Sequence, residues 1–230
     1  MVQSSPAPAP SVDIAIKTGV RAGALVAISI AAHDAFRIAD LEESQREQVL
    51  SMACTLVSLV DLRDSYTGGH SNRVAEYNRG IAVTLGLNYS DTNNIVMAGL
   101  LHDIGKIGVP DHVLLKEGRL TEEEFELIKK HPEFGWMALK NVKEFEEVSL
   151  MLLHHHERVD GRGYPGKLKG VQIPLGSKII AVSDSFDALT TNRPYRTARS
   201  WEQAFEELHR CRGTQFEPDV LQAFFKSMGQ

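Results

Sequence analysis

At 230 residues the chain has room for one sizeable domain and a short extension, and its 43% apolar and 24% charged content is ordinary for a globular protein. A formal net charge of −5 argues against a broad nucleic-acid footprint, which needs a basic excess, but leaves room for a phosphorylated ligand held by a few local Arg or Lys residues. Cys54 and Cys211 lie far apart without C-x-x-C spacing and read as ordinary thiols rather than a disulfide or metal pair.

Residues 1–12, rich in Pro, Ala and Ser, predict a flexible tail. The start MVQSSPAPAP lacks the basic residues and continuous apolar run of a secretory signal. The apolar stretch 20–32 contains Arg21 and is shorter than the ~20 residues that a spanning helix needs. The expectation is therefore a cytoplasmic chain with no membrane span. Two helical segments follow, about 13–38 and 41–64, the second with Leu50, Ala53, Val57 and Val60 at helical spacing. They form an N-terminal helical extension over 13–64 that packs on the main domain or pairs with a second copy as a homodimer.

From 65 to 230 the periodicity stays helical. His70, Val74, Tyr77, Ile81 and Leu85 make one stripe, and Ser90 is placed to cap the helix carrying Ile95 to Asp103. Thr121 with Glu124 forms a capping box for a helix ending near His131. Val148, Met151, Leu152 and His155 share a face, and Ile179, Val182, Phe186 and Leu189 form the next stripe. Ser200 with Gln203 gives a second capping box, and Pro218 suits the first position of a last helix. Residues 160–176, rich in Gly and Pro, are irregular. No run alternates with period two, so the fold class is all-α.

The nine histidines are unevenly distributed. His33, His112, His154 and His209 have no partner at ligand spacing. His70, His102, His131, His155 and His156 each lie on or at the end of an apolar stripe, with Asp103 beside His102, and Asp184 one turn before Asp187. Adjacent histidines on a helix diverge by about 100°, so of His155 and His156 one reads as a ligand and the other as a core or surface residue. Burying these imidazoles and carboxylates together is costly unless a cation sits among them. Bundles with ligands from several helices are how di-metal carboxylate proteins are built. Mixed imidazole and carboxylate ligation without thiolate points to iron or manganese, with zinc or nickel as other occupants and magnesium disfavoured.

The blocks YTGGHS (66–71), LLHDIGKIGVPD (100–111), His131-Pro132, HHERVDGRGYP (155–165) and AVSDSFDALTTNRPYR (181–196) resemble the HD-GYP family, a subgroup of the HD phosphohydrolase superfamily. The resemblance covers about residues 60–228 and implies an HD-domain helical bundle with cyclic di-GMP phosphodiesterase activity, giving pGpG and, on a second cut, GMP. It implies two divalent transition metals, iron or manganese, held by His70, His102, Asp103, His131, His155, His156 and Asp184, with Asp103 bridging. It implies Lys106 near the scissile phosphate, and Tyr164, Arg193 and Arg196 holding the cyclic dinucleotide. Asp187 is expected to partner Lys106 or a ligand histidine, or else to be structural.

Tyr66 stands where the family's trimetal members carry an acidic residue, which predicts two metals rather than three. Lys167 replaces a usual glycine, Val171 a usual glutamate and Val159 a common tryptophan, all at the lip of the expected substrate site. Other readings are an HD-type hydrolase of pGpG or another cyclic dinucleotide, and an interaction module docking diguanylate cyclase (GGDEF) domains. A di-iron oxygenase is disfavoured by the RPYR and GYP blocks.

Overall fold

The computed structural model describes residues 33–34, 36–38, 40–41, 44–45, 48–60, 63, 69–192 and 197–230. The expected tail over 1–12, Tyr66, Arg193 and Arg196 lie outside the described residues. The chain divides into two units, Met1–Leu50 and Ser51–Gln230. In the first, the described residues between 33 and 50 are helical. The second begins with helical residues 51–60 (α1), on which Ala53, Val57 and Val60 are buried. The later part of the expected 13–64 extension thus belongs to the second unit.

After α1 the elements are α2 (His70–Thr84), α3 (Tyr89–Leu101), a 310 turn (Ile104–Gly108), α4 (Asp111–Leu114), α5 (Glu122–Ile128) and α6 (His131–Leu139). There follow α7 (Glu146–Leu153), α8 (Leu175–Thr190), α9 (Trp201–Arg210) and α10 (Pro218–Ser227), with short 310 turns before α7 and α8. No strand forms among the described residues, so the class is all-α. Among those residues no helix is long and apolar enough to cross a membrane.

The caps show where the sequence governs locally. Thr121 with Glu124 and Ser200 with Gln203 form complete capping boxes, and Pro218 opens α10. The start of α3 differs from expectation. Asn88, not Ser90, is the N-cap, its side chain accepting from the Asp91 amide at 2.9 Å, and Ser90 lies inside the helix. Both residue types cap well, and the choice falls to the one with extended backbone, Asn88 at ψ 171°.

The apolar core joins α2, α3, α8, α9 and α10 through Ile81, Ile95, Ile179, Val182, Phe186, Leu208, Leu221 and Phe224. Phe186 is its hub, with Phe224, Tyr77 and Phe205 rings at 5.0, 5.3 and 5.3 Å. This packing holds the face of α8 that carries Asp184 and Asp187 toward α2.

The 310 turn after α3 lies directly against the start of α6. A Cβ built on Gly105 would overlap the His131 carbonyl oxygen and crowd the Gly135 amide. Only a glycine permits this approach, which brings Asp103 beside His131. Gly105→Ala is therefore expected to lower stability by about 1–3 kcal/mol, the usual cost of overpacking, read as a lower urea midpoint at unchanged slope.

Candidate metal centre

Three histidines follow helix C-termini. His102 comes after α3, His131 after α5 and His155 after α7. A helix leaves the carbonyls of its last turn without intrahelical partners, and each imidazole takes one of them. His102 Nδ1 donates to Gly99 O at 2.8 Å, His131 Nδ1 to Ile128 O at 2.8 Å and His155 Nδ1 to Leu152 O at 2.6 Å. Because a carbonyl only accepts, the proton is on Nδ1 and each Nε2 turns a lone pair inward.

The inward atoms form two groups. His70, His102 and Asp184 gather in one, and His131, His155 and His156 in the other, the ligand atoms of each lying within 4.8 Å of one another. Asp103 stands between them. Its Oδ2 lies 3.4 Å from His102 Nε2 and 3.8 Å from His70 Nε2, while its Oδ1 lies 3.5 Å from His131 Nε2. One carboxylate oxygen faces each group, as a bridging ligand requires.

The second group fits a metal ion on its own chemistry. His131 and His155 bring bare Nε2 atoms to 3.3 Å, too close for two lone pairs without a cation between them. Neither imidazole is inclined to supply that charge as a proton. Burial, with the charges of neighbouring histidines, holds the His155 pKa well below the ordinary value. Burial likewise lowers His131 against the pull of Asp103, and lowers His156 to about 3.

The first group also demands a cation. Burial lowers the His70 pKa, but hydrogen bonds with Asp184 and Asp187 outweigh it and raise the value to about 10. A proton on His70 Nε2, 3.2 Å from His102 Nε2, is thus what an ion would replace, so metal uptake releases it. Burial opposes ionisation of Asp184, yet His70, His102 and His156 hold it well below the usual carboxylate range. Asp103 is held down in the same way, against burial, by Lys106, His102 and His131.

The structure brings every described residue of the expected site together. The Lys106 ammonium lies 2.8 Å from Asp103 Oδ2, on the 310 turn rather than a continuing helix. His155 and His156 fall beyond the end of α7, which is why both join one group instead of diverging. Asp187 accepts from His70 Nδ1 at 2.7 Å, the histidine partner among its expected roles. The Tyr164 ring packs on His156 at 4.9 Å with its phenol kept neutral, burial and the Asp184 and Asp103 charges raising its pKa.

His70, Asp103, Lys106, His131, His156 and Asp184 line a cleft of about 990 Å3 that Arg119 and Phe125 also line. That is the upper end of the roughly 300–1,000 Å3 typical of small-ligand sites.

Three contributors escaped the sequence reading. Arg73, one turn after His70, grips Asp187 with Nε on Oδ1 at 2.6 Å and Nη2 on Oδ2 at 3.0 Å. Glu157, directly after the histidine pair, is buried and accepts from the Gly166 and Leu168 amides at 2.6 and 3.1 Å, shaping the loop that presents Tyr164. Their signal was adjacency to ligand histidines. The third, Gly163, lies so close to the backbone of Glu157 and Arg158 that a Cβ would overlap it. At Lys167, where the resembled family has glycine, the backbone is left-handed with φ 52°, which explains the usual glycine.

A family model described as "HD domain" matches residues 55–220. A cyclic di-GMP phosphodiesterase of Thermotoga maritima is 42% identical over 170 residues, covering 73% of this chain and 46% of that protein. A 3′3′-cGAMP-specific phosphodiesterase 2 of Vibrio cholerae serotype O1 is 37% identical, covering 80% of this chain and 35% of that one. The chain thus spans half or less of these relatives' own length. Among solved structures, Bd1817 of Bdellovibrio bacteriovorus, titled an HDG"Y"P protein, superposes with a TM-score of 0.57 at 20% identity, over 70% of this chain and 52% of that one. At that identity the likeness supports the fold.

Asp187→Asn keeps the size of the side chain but weakens the acceptor behind His70. Metal affinity is expected to fall about 10–100-fold, the usual effect of removing such a partner. Calorimetric titration with Mn2+ reads the affinity, and unaltered binding would detach Asp187 from the centre.

Proposed function

The chain belongs to the HD-domain family, in its HD-GYP branch, and from that premise we propose that it hydrolyses a phosphodiester of a cyclic dinucleotide, cyclic di-GMP first, to linear pGpG. The observation that carries the reading is the pair of three-residue donor groups sharing the Asp103 carboxylate on the floor of the cleft, with the Lys106 ammonium beside it. The donor set suits two divalent transition ions, iron or manganese, held by His70, His102 and Asp184 on one side and His131, His155 and His156 on the other. Such ions supply Lewis acidity that acidifies a water and offsets phosphoryl charge.

The chain's own groups do the rest. Lys106 directs its ammonium at the phosphoryl oxygens, where negative charge grows as water adds to phosphorus and the bond to the ribose 3′ oxygen breaks. The proton lost by the water ends on that 3′ oxygen. Tyr164 offers a ring face to the ligand, and Arg193 and Arg196, carried over from the RPYR resemblance, supply forked donors to phosphate or guanine edges. Asp187, clamped by Arg73, keeps His70 from turning. An oxygenase reading is disfavoured by the GYP and RPYR blocks, which suit a phosphorylated substrate.

The relative from Vibrio cholerae motivates one alternative substrate, 3′3′-cGAMP. Lys167, Val171 and Val159, which depart from the resembled pattern, lie in the loop that carries Tyr164, and Val171 is 97% exposed. Homodimer formation has a candidate face in Met52, Leu56 and Leu59, exposed on α1. Docking of GGDEF domains rests on the family resemblance alone.

The test is product analysis of the metal-loaded protein with cyclic di-GMP, 3′3′-cGAMP and pGpG. Cyclic di-GMP is expected to be cleaved fastest, and failure to cleave any cyclic dinucleotide overturns the proposal. Lys106→Ala is expected to keep its metal and lose about 10²–10³ in kcat, the usual cost of one transition-state donor.

A further inference from the structure

Arg63 follows α1, and its guanidinium reaches over the 310 turn that carries Lys106. Nη1 donates to the carbonyls of Lys106 at 3.0 Å and Ile107 at 2.8 Å. Nη2 donates to the Val109 carbonyl at 2.6 Å and to Asp111 Oδ1 at 2.6 Å, and Nε donates to the same Oδ1 at 2.9 Å. The ion pair with Asp111, whose side chain is 70% exposed, contributes little by itself. What is specific is the fan of carbonyls.

A 310 run ends with carbonyls to which no following turn donates, and here one planar fork reaches those of Ile107 and Val109 together with the Lys106 carbonyl. Lysine has no such geometry, since its ammonium is a single point of charge. The Lys106 backbone is thereby fixed from both sides. Its amide donates to Asp103 O at 2.9 Å, and its carbonyl accepts from the Val109 amide at 3.0 Å as well as from Arg63. Its long flexible side chain then has a fixed origin from which Nζ meets Asp103 Oδ2 at 2.8 Å.

We propose that Arg63 is a positioning residue for phosphodiester hydrolysis: it fixes the turn that carries Lys106 and so controls turnover rather than substrate affinity. The inference rests on the phosphodiesterase reading of the cleft.

The experiment compares the full chain with R63Q, R63K, K106A and R63Q/K106A, all loaded with Mn2+, on bis(p-nitrophenyl) phosphate and on cyclic di-GMP. R63Q is expected to lower kcat about 10–100-fold, as loss of a group that orients a reacting one does, with KM and metal content unchanged. In the K106A background the same substitution is expected to cost almost nothing more, because the two residues act as a unit. R63K is expected to keep the thermal midpoint and metal content of the parent yet restore only part of kcat.

An equal fold-loss in both backgrounds, a loss confined to KM, an unchanged kcat in R63Q, or a full kcat in R63K each overturns the inference. So does an R63Q protein whose metal and thermal midpoint fall together with activity, which would make Arg63 structural. If the simple diester shows the coupling while cyclic di-GMP is not cleaved, the substrate reading falls and the role of Arg63 stands. If K106A leaves kcat intact on cyclic di-GMP, the roles of Lys106 and Arg63 fall and the substrate reading stands.

Discussion

Two imidazole nitrogens cannot rest about 3.3 Å apart with their lone pairs facing unless positive charge lies between them, and the centre of this protein is built around that constraint. His131 and His155 are forced into it because their Nδ1 protons are committed to the last-turn carbonyls of α5 and α7. The rule that gives a helix C-terminus orphan carbonyls also sets the tautomer of the ligands. Burial then keeps these imidazoles neutral, which is the state in which an imidazole can bind a metal. On the other side of Asp103 the same demand is met at His70, where two aspartates hold a proton that an ion would displace.

The fold converts this local rule into a site by making helix ends converge. Gly105 lets the turn after α3 lie on the first residue of α6, which sets Asp103 between the two donor groups. The aromatic cluster around Phe186 fixes α8, and successive turns of that helix then serve two tasks. Asp184 faces the centre, and Asp187 stands behind His70 with Arg73 closing the pair. Buried carboxylates and imidazoles in this number are costly alone and mutually stabilising around cations.

Much of the centre was legible in the sequence because its signal is redundant. Histidines ending several apolar stripes, with Asp103 and Asp184 among them, leave few arrangements other than a shared inward site. Local geometry was less legible where two residues compete for one role. Asn88 and Ser90 are both capping residues, and only backbone conformation separates them. The continuation of helix through His155–His156 was overestimated, since periodicity does not register a helix that ends shortly before its histidines. Arg63 and Arg73 escaped because a single charged residue has no periodic pattern and their partners lie 43 or more residues along the chain, whereas Glu157 had only its place beside the histidine pair to mark it.

The central claim is that one carboxylate, Asp103, joins two separate cation sites. Anomalous scattering from crystals of the Mn2+-loaded protein tests it directly. The account predicts two peaks about 3.5–4 Å apart, the spacing of two-metal hydrolytic sites, one beside His70, His102 and Asp184 and the other beside His131, His155 and His156, with one Asp103 oxygen toward each. A single fully occupied peak, or two peaks of which Asp103 touches neither, would contradict it.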